Sequence, residues 1–286
     1  MKMPIPWASL AVLFILATVP TLPAAAPVDL AAPEPQVAVA ERFQGHEGCF
    51  VLHDSRTGHV LRHNPQRCAL PLPPCSTFKI PNSLIALELG VLCGADHVIP
   101  WDPEQDPKQD WWKGPVLGEW PRDHDLRSAM TNSVVWYYQE VARRIRAERM
   151  AAWLARFDYG NRDISGGIDR FWLCTSLLIS ADDQVAFLRR LQNGELGCSP
   201  RSTAIVGEII ERERGPGYVY RGKTGGGRLA SGRRIGWLVG WVERGERRYT
   251  YALNLEGDRY DEILDARLRL PRAILSALGI LPENPP

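Results

Sequence analysis

Residues 74–82 read Pro-Cys-Ser-Thr-Phe-Lys-Ile-Pro-Asn, and the character of the chain changes across them. Before this segment the apolar residues alternate as in strands, and after it they recur at helical spacing as far as Gly90. Ser76 and Lys79 stand three residues apart, so on a helical turn the lysine amine can reach the serine hydroxyl. This is the arrangement of a nucleophile whose base is an amine, although S-x-x-K alone is a frequent chance match.

Strand patterns lie on both sides of this segment. Residues 48–54 and 59–63 predict two strands joined by a turn that contains a glycine. Further strand patterns follow near the carboxyl terminus, at residues 218–221, 235–242 and 249–255. A helical pattern at about 261–278 ends at Gly279.

The middle of the chain is predicted to be helical. Periodic apolar residues indicate helices at 134–157 and 181–193, the second capped by Ser180. Residues 101–125 hold four tryptophans among prolines and charges, which favours a long loop able to wall a cleft. Strands at both ends with helices between predict an α/β fold, a mixed antiparallel-sheet sandwich with an inserted all-helical subdomain.

The division of the chain follows from these patterns. We predict a single catalytic domain at residues 43–283, in which 43–76 and 205–283 form the α/β part and 77–204 the mainly helical part. Residues 27–42 are rich in Ala, Pro and Val without a period and predict a flexible leader.

The first 26 residues are typical of an export signal. Lys2 precedes an apolar run at residues 7–19, and three alanines at 24–26 resemble a cleavage site. The run is short for a membrane span, which needs roughly 20 residues, although an uncleaved anchor remains an alternative. We expect a periplasmic or secreted protein after cleavage of residues 1–26.

The charge balance excludes several classes of partner. The chain has 34 Lys plus Arg and 33 Asp plus Glu, a net charge of +1, so nothing drives it toward nucleic acid or an anionic membrane. All six histidines lie in the first 124 residues, which excludes a hydrolase whose catalytic histidine comes late in the chain. The histidines near 53–63 lie on strands with no acidic partners and predict surface positions rather than a metal site.

The cysteines do not indicate a metal or a disulfide scaffold. There are six, with no C-x-x-C pair, so we expect no structural zinc. Cys49 and Cys68 flank the predicted hairpin, and both a disulfide and two buried free thiols are consistent with their positions.

Three more motifs follow Ser76 and Lys79 along the chain. Ser133-Val134-Val135 precedes a helix, where the hydroxyl is either a proton relay or an ordinary N-cap. Tyr159-Gly-Asn lies in a loop between helices. Lys223-Thr224-Gly225 lies on a strand with small residues beside it, which would let a substrate backbone approach the edge.

Residues 217–224 also match the spacing of a phosphate-binding loop, G-x-x-x-x-G-K-T. Such a loop follows a strand and opens a helix. Here the interior alternates like a strand and three glycines follow, so the sequence argues against nucleotide binding.

The ordered set S-x-x-K, S-x-V, Y-G-N and K-T-G resembles the penicillin-recognising serine enzymes, and among them the class D β-lactamases. The resemblance covers residues 44–282 and includes the strings at 74–82, 157–161, 223–225 and 236–242. Class A relatives carry S-D-N where this chain has Ser133-Val134-Val135, and no convincing E-x-x-L-N segment is present.

The resemblance implies a mechanism centred on Lys79. Valines near the amine would lower its pKa by burial, and a neutral amine can add carbon dioxide to form a carbamate, which needs no other cofactor. This group would serve as base for the acylation of Ser76 and for deacylation. Trp172 is implied to hold the carbamate, with Val135 and Leu173 as an apolar lid.

The remaining roles are carried over in the same way. Ser133 is implied to pass a proton to the β-lactam nitrogen, supported by Lys223. The backbone N–H groups of Ser76 and Gly226 would form the oxyanion hole, although Gly226 departs from the bulkier residues frequent after K-T-G. The residues implied to border the cleft or to bind the substrate carboxylate are Trp120, Thr224 and Arg267, with Arg269 as an alternative to Arg267.

We therefore predict a β-lactamase that hydrolyses β-lactams through a Ser76 acyl-enzyme, with no nucleic acid or metal partner. The alternatives are the sensor domain of a β-lactam receptor and a cell-wall transpeptidase, both of which acylate without efficient turnover. Sensors are fused to a transmembrane signalling region, whereas we expect only a short leader here. The preferred β-lactam and the choice between monomer and dimer stay open.

Overall fold

The computed structural model describes residues 28–283, so the predicted signal segment 1–26 lies outside the described residues. None of the described helices is both long and apolar enough to cross a bilayer. Within this range the chain forms one six-stranded sheet with helices on both faces.

The sheet joins strands from both ends of the chain. Its order is β2-β1-β6-β5-β4-β3, and every neighbouring pair is antiparallel. The strands are β1 (Glu47–Asp54), β2 (Val60–His63), β3 (Glu211–Gly215), β4 (Tyr218–Arg228), β5 (Arg234–Arg244) and β6 (Arg247–Gly257). The predicted hairpin is β1 and β2, and the predicted carboxyl-terminal strands are β4, β5 and β6.

Ten α-helices accompany the sheet in the described residues. They are α1 (Pro33–Arg42), α2 (Pro65–Cys68), α3 (Lys79–Glu88), α4 (Gly114–Leu117), α5 (Leu126–Thr131), α6 (Val135–Ile145), α7 (Ala147–Phe157), α8 (Ala181–Gln192), α9 (Pro200–Ile209) and α10 (Tyr260–Ala277). A 3-10 helix, Cys75–Phe78, runs directly into α3.

The alternation of side chains on β5 explains the layers. Trp237 and Val239 point into the main core, which lies between the sheet and the helical region. Leu238 and Val242 point into a second core on the opposite face, where α1 and α10 pack. Because a strand sends successive side chains to opposite faces, a run without polar residues fills both cores. The predicted sandwich with a helical insertion is thus the fold of this chain.

The prediction of a flexible leader at residues 27–42 is wrong for most of its length. Helix α1 begins there with Pro33 at its first position, where proline costs no hydrogen bond. Val39 and Phe43, four residues apart, are buried against α10 and β2. The apolar face is narrow, and the alanines and prolines around it obscured the period.

Two other boundaries differ from the sequence interpretation. The helix predicted at 134–157 is divided at Arg146, whose φ of 71° separates α6 from α7. Helix α9 covers residues for which the sequence interpretation named no helix, and the proposed boundary at residue 205 falls inside it. Ser199 caps this helix by accepting a hydrogen bond from the N–H of Ser202, a local signal that the sequence interpretation overlooked.

A buried ion pair joins the ends of β1 and β6. Arg247 Nε donates to Asp54 Oδ1 at 2.8 Å, and Thr57 Oγ1 donates to Asp54 Oδ2 at 2.7 Å. The Asp54 side chain is fully buried. Burial alone would raise the pKa of Asp54, but the hydrogen bonds from Arg247, Thr57 and the N–H of Arg56 outweigh it and lower the pKa to about 2.

Replacing Arg247 with methionine should lower the free energy of unfolding by about 3 kcal/mol at pH 7, because Asp54 would stay buried without its counter-ion. Urea denaturation measures this change. Arg56→Met, an exposed side chain in the adjoining turn, is the control and should change stability by less than about 0.5 kcal/mol.

The same pair sets a pH dependence. Because the pKa of Asp54 is lowered in the folded state, its contribution is complete above the unfolded value of about 4 and is lost as the pH falls toward 2. The difference between native protein and Arg247→Met should shrink over that range. A difference that is independent of pH would contradict the role of the pair.

Candidate active site

The junction between the 3-10 helix and α3 brings Ser76 and Lys79 together. Lys79 Nζ lies 2.9 Å from Ser76 Oγ. The Lys79 side chain is completely buried, and this burial lowers its pKa to about 7. A substantial share of the amine is therefore neutral near pH 7, and a neutral amine can accept the Ser76 proton.

One aromatic ring lies over the Lys79 amine, and another packs on Phe78, the residue before the lysine. Lys79 Nζ lies 5.2 Å from the centroid of the Tyr138 ring. Trp172 is fully buried and stacks on Phe78 with ring centroids 5.3 Å apart. Among the described residues nothing accepts a hydrogen bond from the Trp172 indole N–H. A buried donor without an acceptor is costly in a native structure and indicates a missing polar partner.

Ser133 and Lys223 form a second pair. Ser133 lies between α5 and α6 with a φ of 54°, and Lys223 Nζ donates to its Oγ at 3.0 Å. The N-cap of α6 is Val134, so Ser133 is not an ordinary capping residue. Burial, together with the charges of Lys79 and Arg267, holds the pKa of Lys223 well below that of an ordinary lysine.

Trp120 supports the turn that presents Ser133. Its indole N–H donates to the carbonyl of Asn132 at 2.9 Å, and its own carbonyl accepts from the Trp136 indole at 2.8 Å. Only 5% of Trp120 is exposed, and it packs edge-on against Trp112. Its N–H is thus used within the fold, and the expected contact with substrate stays a prediction.

One edge of β4 is free beyond the end of β3. The N–H of Gly222 donates to Ile210 on the β3 side, and pairing with β3 extends no further than Arg221. Because alternate residues of a strand point their N–H groups to the same side, the N–H of Gly226 also points to this edge. Ser76 is the second residue of the 3-10 helix, and its N–H precedes the first hydrogen bond of that helix, which runs from the N–H of Thr77 to the carbonyl of Pro74. These are the two donors expected for an oxyanion hole.

Arg267 on α10 reaches this part of β4, and Arg269 does not. Arg267 Nη1 donates to the carbonyl of Gly225, whereas Arg269 is exposed and pairs with Asp265. A Cβ atom at Gly226 would lie 2.7 Å from Arg267 Nη1, so the glycine makes room for the guanidinium. Burial lowers the pKa of Arg267 to about 10.

The small residues of β4 serve a different purpose from the one expected. A Cβ atom at Gly225 would lie 2.8 Å from the carbonyl of Pro74, and one at Gly227 would overlap the sulfur of Cys174. The bare face of the strand is therefore filled by the segment that carries Ser76. This face of β4 is therefore covered, whereas its edge beyond Arg221 has no partner strand among the described residues.

The Tyr159-Gly-Asn motif hydrogen-bonds to α8 and to the loop at residues 176–178, and it does not contact Ser76 in the described hydrogen bonds. Tyr159 OH donates to Gln184 Oε1 at 3.5 Å, and Gln184 Nε2 donates to Thr77 Oγ1 at 2.9 Å. Asn161 Nδ2 donates to the carbonyl of Ser176 at 2.8 Å, and its Oδ1 accepts from the N–H of Leu178 at 3.0 Å. The motif thus positions the 3-10 helix and closes the loop that carries Trp172.

Val135 and Leu173 are both half-buried at the margin of the main core.

Thr224 completes the cation-bearing segment, since its carbonyl and hydroxyl accept from Lys223 Nζ at 3.2 and 3.3 Å. A cleft of about 270 Å³ opens beside it. Its lining residues are Met130, Thr131, Ile209, Ile210, Glu211, Arg212, Gly222, Lys223 and Thr224.

The sequence interpretation missed Tyr138 and Gln184. Tyr138 lies one turn along α6 from Val135 and looks like an ordinary core aromatic in the sequence. Gln184 acts on Thr77 from 107 positions away. A contact at that separation leaves no local pattern.

Gly160→Ala should destabilise the protein much more than Gly194→Ala. Both glycines have a left-handed φ, of 54° and 73°, so each substitution costs about 1 kcal/mol in the backbone. A Cβ atom at Gly160 would lie 2.0 Å from the carbonyl of Leu178, whereas Gly194 has open space. We expect an additional loss of at least about 2 kcal/mol for Gly160→Ala in urea denaturation. Equal losses would contradict the tight closure of the loop.

Comparison with known proteins agrees with this geometry. Residues 48–275 match the family described as the penicillin binding protein transpeptidase domain. The chain is 39% identical over 236 residues to β-lactamase OXA-48 of Klebsiella pneumoniae, a match that covers 82% of this chain and 85% of that protein. It is 37% identical over 218 residues to the probable β-lactamase YbxI of Bacillus subtilis (strain 168), covering 76% and 78%.

Solved structures give the same result. A class D β-lactamase from Nostoc aligns with a TM-score of 0.77 at 36% identity, covering 89% of this chain and all of that one. A class D β-lactamase from Bacillus subtilis aligns with a TM-score of 0.75 at 34% identity, covering 85% and 96%. With the Ser76–Lys79 and Ser133–Lys223 pairs in place, this chain belongs to the class D serine β-lactamases.

Proposed function

We propose that the protein hydrolyses β-lactams through an acyl-enzyme on Ser76. The observation that carries the proposal is the 2.9 Å separation of Lys79 Nζ and Ser76 Oγ in a buried site, with the lysine pKa at about 7. An ordinary lysine is protonated at neutral pH and cannot remove the serine proton. Burial provides the base that the nucleophile needs.

The other groups of the site act on the carbonyl oxygen and on the nitrogen of the reacting amide. As Ser76 Oγ attacks the β-lactam carbonyl, the N–H groups of Ser76 and Gly226 stabilise the negative charge on the carbonyl oxygen. Ser133 Oγ passes its proton to the ring nitrogen that leaves. Lys223, 3.0 Å from that hydroxyl, stabilises the charge that develops there.

We assign the substrate carboxylate to Thr224 and Arg267. The Nε atom of Arg267 is buried and has no acceptor among the described residues. A carboxylate at the edge of β4 would accept a hydrogen bond from it, and charge-assisted bonds of this kind are strong. The near-neutral balance of the whole chain fits this arrangement, because capture depends on a few local cations.

We further propose that Lys79 carries a carbamate. The site fits the group, since a buried neutral amine can add carbon dioxide and the Trp172 indole N–H lacks an acceptor. When present, the carbamate supplies the base for both acylation and deacylation. Trp172 would hold its oxygen atoms, and Val135 and Leu173 would limit the entry of water beside it.

Purified protein mixed with a penicillin should gain the mass of the intact antibiotic on Ser76 and then lose it as product forms. Ser76→Ala should form no adduct and lower kcat by at least about 10⁴-fold. Ser55→Ala, on the exposed hairpin turn, is the control.

The intact mass also tests export, because cleavage of the predicted signal would leave residue 27 first.

An adduct that persists without turnover would overturn the hydrolase proposal. That outcome would favour the receptor sensor or the transpeptidase, which form the same bond to serine. The two outcomes are separated by following the adduct over time rather than by detecting it once.

Protein incubated with ¹³C-labelled bicarbonate should show a carbamate carbon signal that is absent from Lys79→Ala. Because carbon dioxide adds only to the neutral amine, and the pKa of Lys79 is lowered to about 7, the signal should grow as the pH rises from about 6 to 8. Removing carbon dioxide should reduce activity and bicarbonate should restore it. An unlabelled lysine with activity indifferent to bicarbonate would contradict the carbamate.

A further inference from the structure

Two thiols meet beside the nucleophile. Cys75 directly precedes Ser76, and Cys174 lies two residues after Trp172. Their sulfur atoms are 3.3 Å apart, although 99 positions separate the residues in the chain. A disulfide requires the sulfurs to approach to about 2.05 Å, so a shift of little more than 1 Å would join them.

The surroundings hold the thiols in this position. Cys75 has a φ of 50° and Cys174 a φ of 58°, conformations that are uncommon for residues other than glycine and that persist only where the neighbouring structure imposes them. A Cβ atom at Gly227 would lie 2.3 Å from the Cys174 sulfur and 3.0 Å from the Cys75 sulfur. The glycine on β4 therefore provides the space that the sulfur pair occupies.

The two thiols differ in access and in acidity. Cys75 is almost fully buried and Cys174 is half-exposed. The hydrogen bond from Cys75 and the N–H of Arg228 lower the pKa of Cys174, while donation to Cys174 and burial raise the pKa of Cys75. Because the thiolate is the reactive form, Cys174 is the thiol that meets an oxidant first.

We propose that Cys75 and Cys174 are a redox-active pair that closes into a disulfide across the wall of the active site. The oxidant is a small-molecule disulfide such as glutathione disulfide. The Cys174 thiolate attacks one of its sulfurs and releases one thiolate, forming a mixed disulfide. Cys75 then loses its proton and attacks the Cys174 sulfur, releasing the second thiolate. Two thiols are oxidised, the external disulfide is reduced to two thiols, and the two protons leave with them.

The pair at Cys49 and Cys68 lacks these properties. Both residues are fully buried in the core, and the structure has them as free thiols. The Cys68 thiol donates to the carbonyls of His63 and Phe50, at 3.2 and 3.7 Å. An oxidant has no access to either sulfur in the folded protein, so we expect oxidation to select Cys75 and Cys174.

The bond would connect the two segments that form the site. One is the 3-10 helix with Ser76, and the other is the loop that carries Trp172, whose ring stacks on Phe78. A cross-link that closes a loop of about 100 residues strongly restricts the unfolded chain. The oxidised protein should be more stable, and its loop should be fixed relative to the nucleophile.

The test is oxidation of the folded full-length protein with glutathione disulfide, followed by thiol counting and peptide mapping. We expect the six free thiols to fall to four, the mass to fall by two hydrogen atoms, and one cross-linked peptide to contain residues 75 and 174. The melting temperature should rise by about 5 to 10 °C and return on reduction. Cys198→Ser is the control and should lose the same two thiols.

Cys174→Ser should give no cross-link and no rise in melting temperature. Gly227→Ala keeps both thiols but forces their sulfurs apart, so it should slow closure at least tenfold even if Cys75 cannot be replaced without loss of folding. The proposal is overturned if all thiols stay free, if only residues 49 and 68 are linked, or if Cys174 retains glutathione without closing the bond. These readouts do not involve hydrolysis, so they stand or fall independently of the proposed function.

Discussion

The burial of one lysine amine is the constraint on which the rest of the site depends. A primary amine strongly prefers to be charged and hydrated, and only a site without water changes that preference. Lys79 meets this condition at the start of α3, under the Tyr138 ring and beside the stacked pair of Phe78 and Trp172. The main core thus stabilises the fold, and by burying Lys79 it also keeps a share of the lysine amine neutral near pH 7.

The neighbouring cations respond to the same environment. Lys223 and Arg267 are both largely removed from water, and burial lowers the pKa of each. The charges of Lys79 and Arg267 also repel a proton on Lys223 and so add to the effect of burial on its pKa. An anionic substrate relieves this repulsion. The carboxylate binding that we propose would therefore depend on the local placement of charge, which the overall net charge of +1 does not reveal.

The nucleophile is held by contacts from distant parts of the chain. Two elements contact the 3-10 helix. Gln184 on α8 donates a hydrogen bond to Thr77, and the glycine face of β4 packs against the carbonyl of Pro74. The loop closed by Gly160 and Asn161 carries Trp172 and Cys174, which contact Phe78 and Cys75 of the same 3-10 helix. Each anchor comes from a different element, so the position of Ser76 depends on completion of the whole fold.

The sequence alone determined the alternation of β5, the S-x-x-K turn and the order of the motifs, because these depend on residues a few positions apart. It also favoured Arg267, but only the tertiary structure separated it from Arg269, since the two differ in which side of α10 faces β4. Helix α1 and the contact of Cys75 with Cys174 were decided by packing alone. Local periodicity shows which face of a helix or strand is apolar, because that pattern depends on neighbouring residues. Which element covers that face depends on contacts between segments far apart in the chain, and these form only in the folded protein.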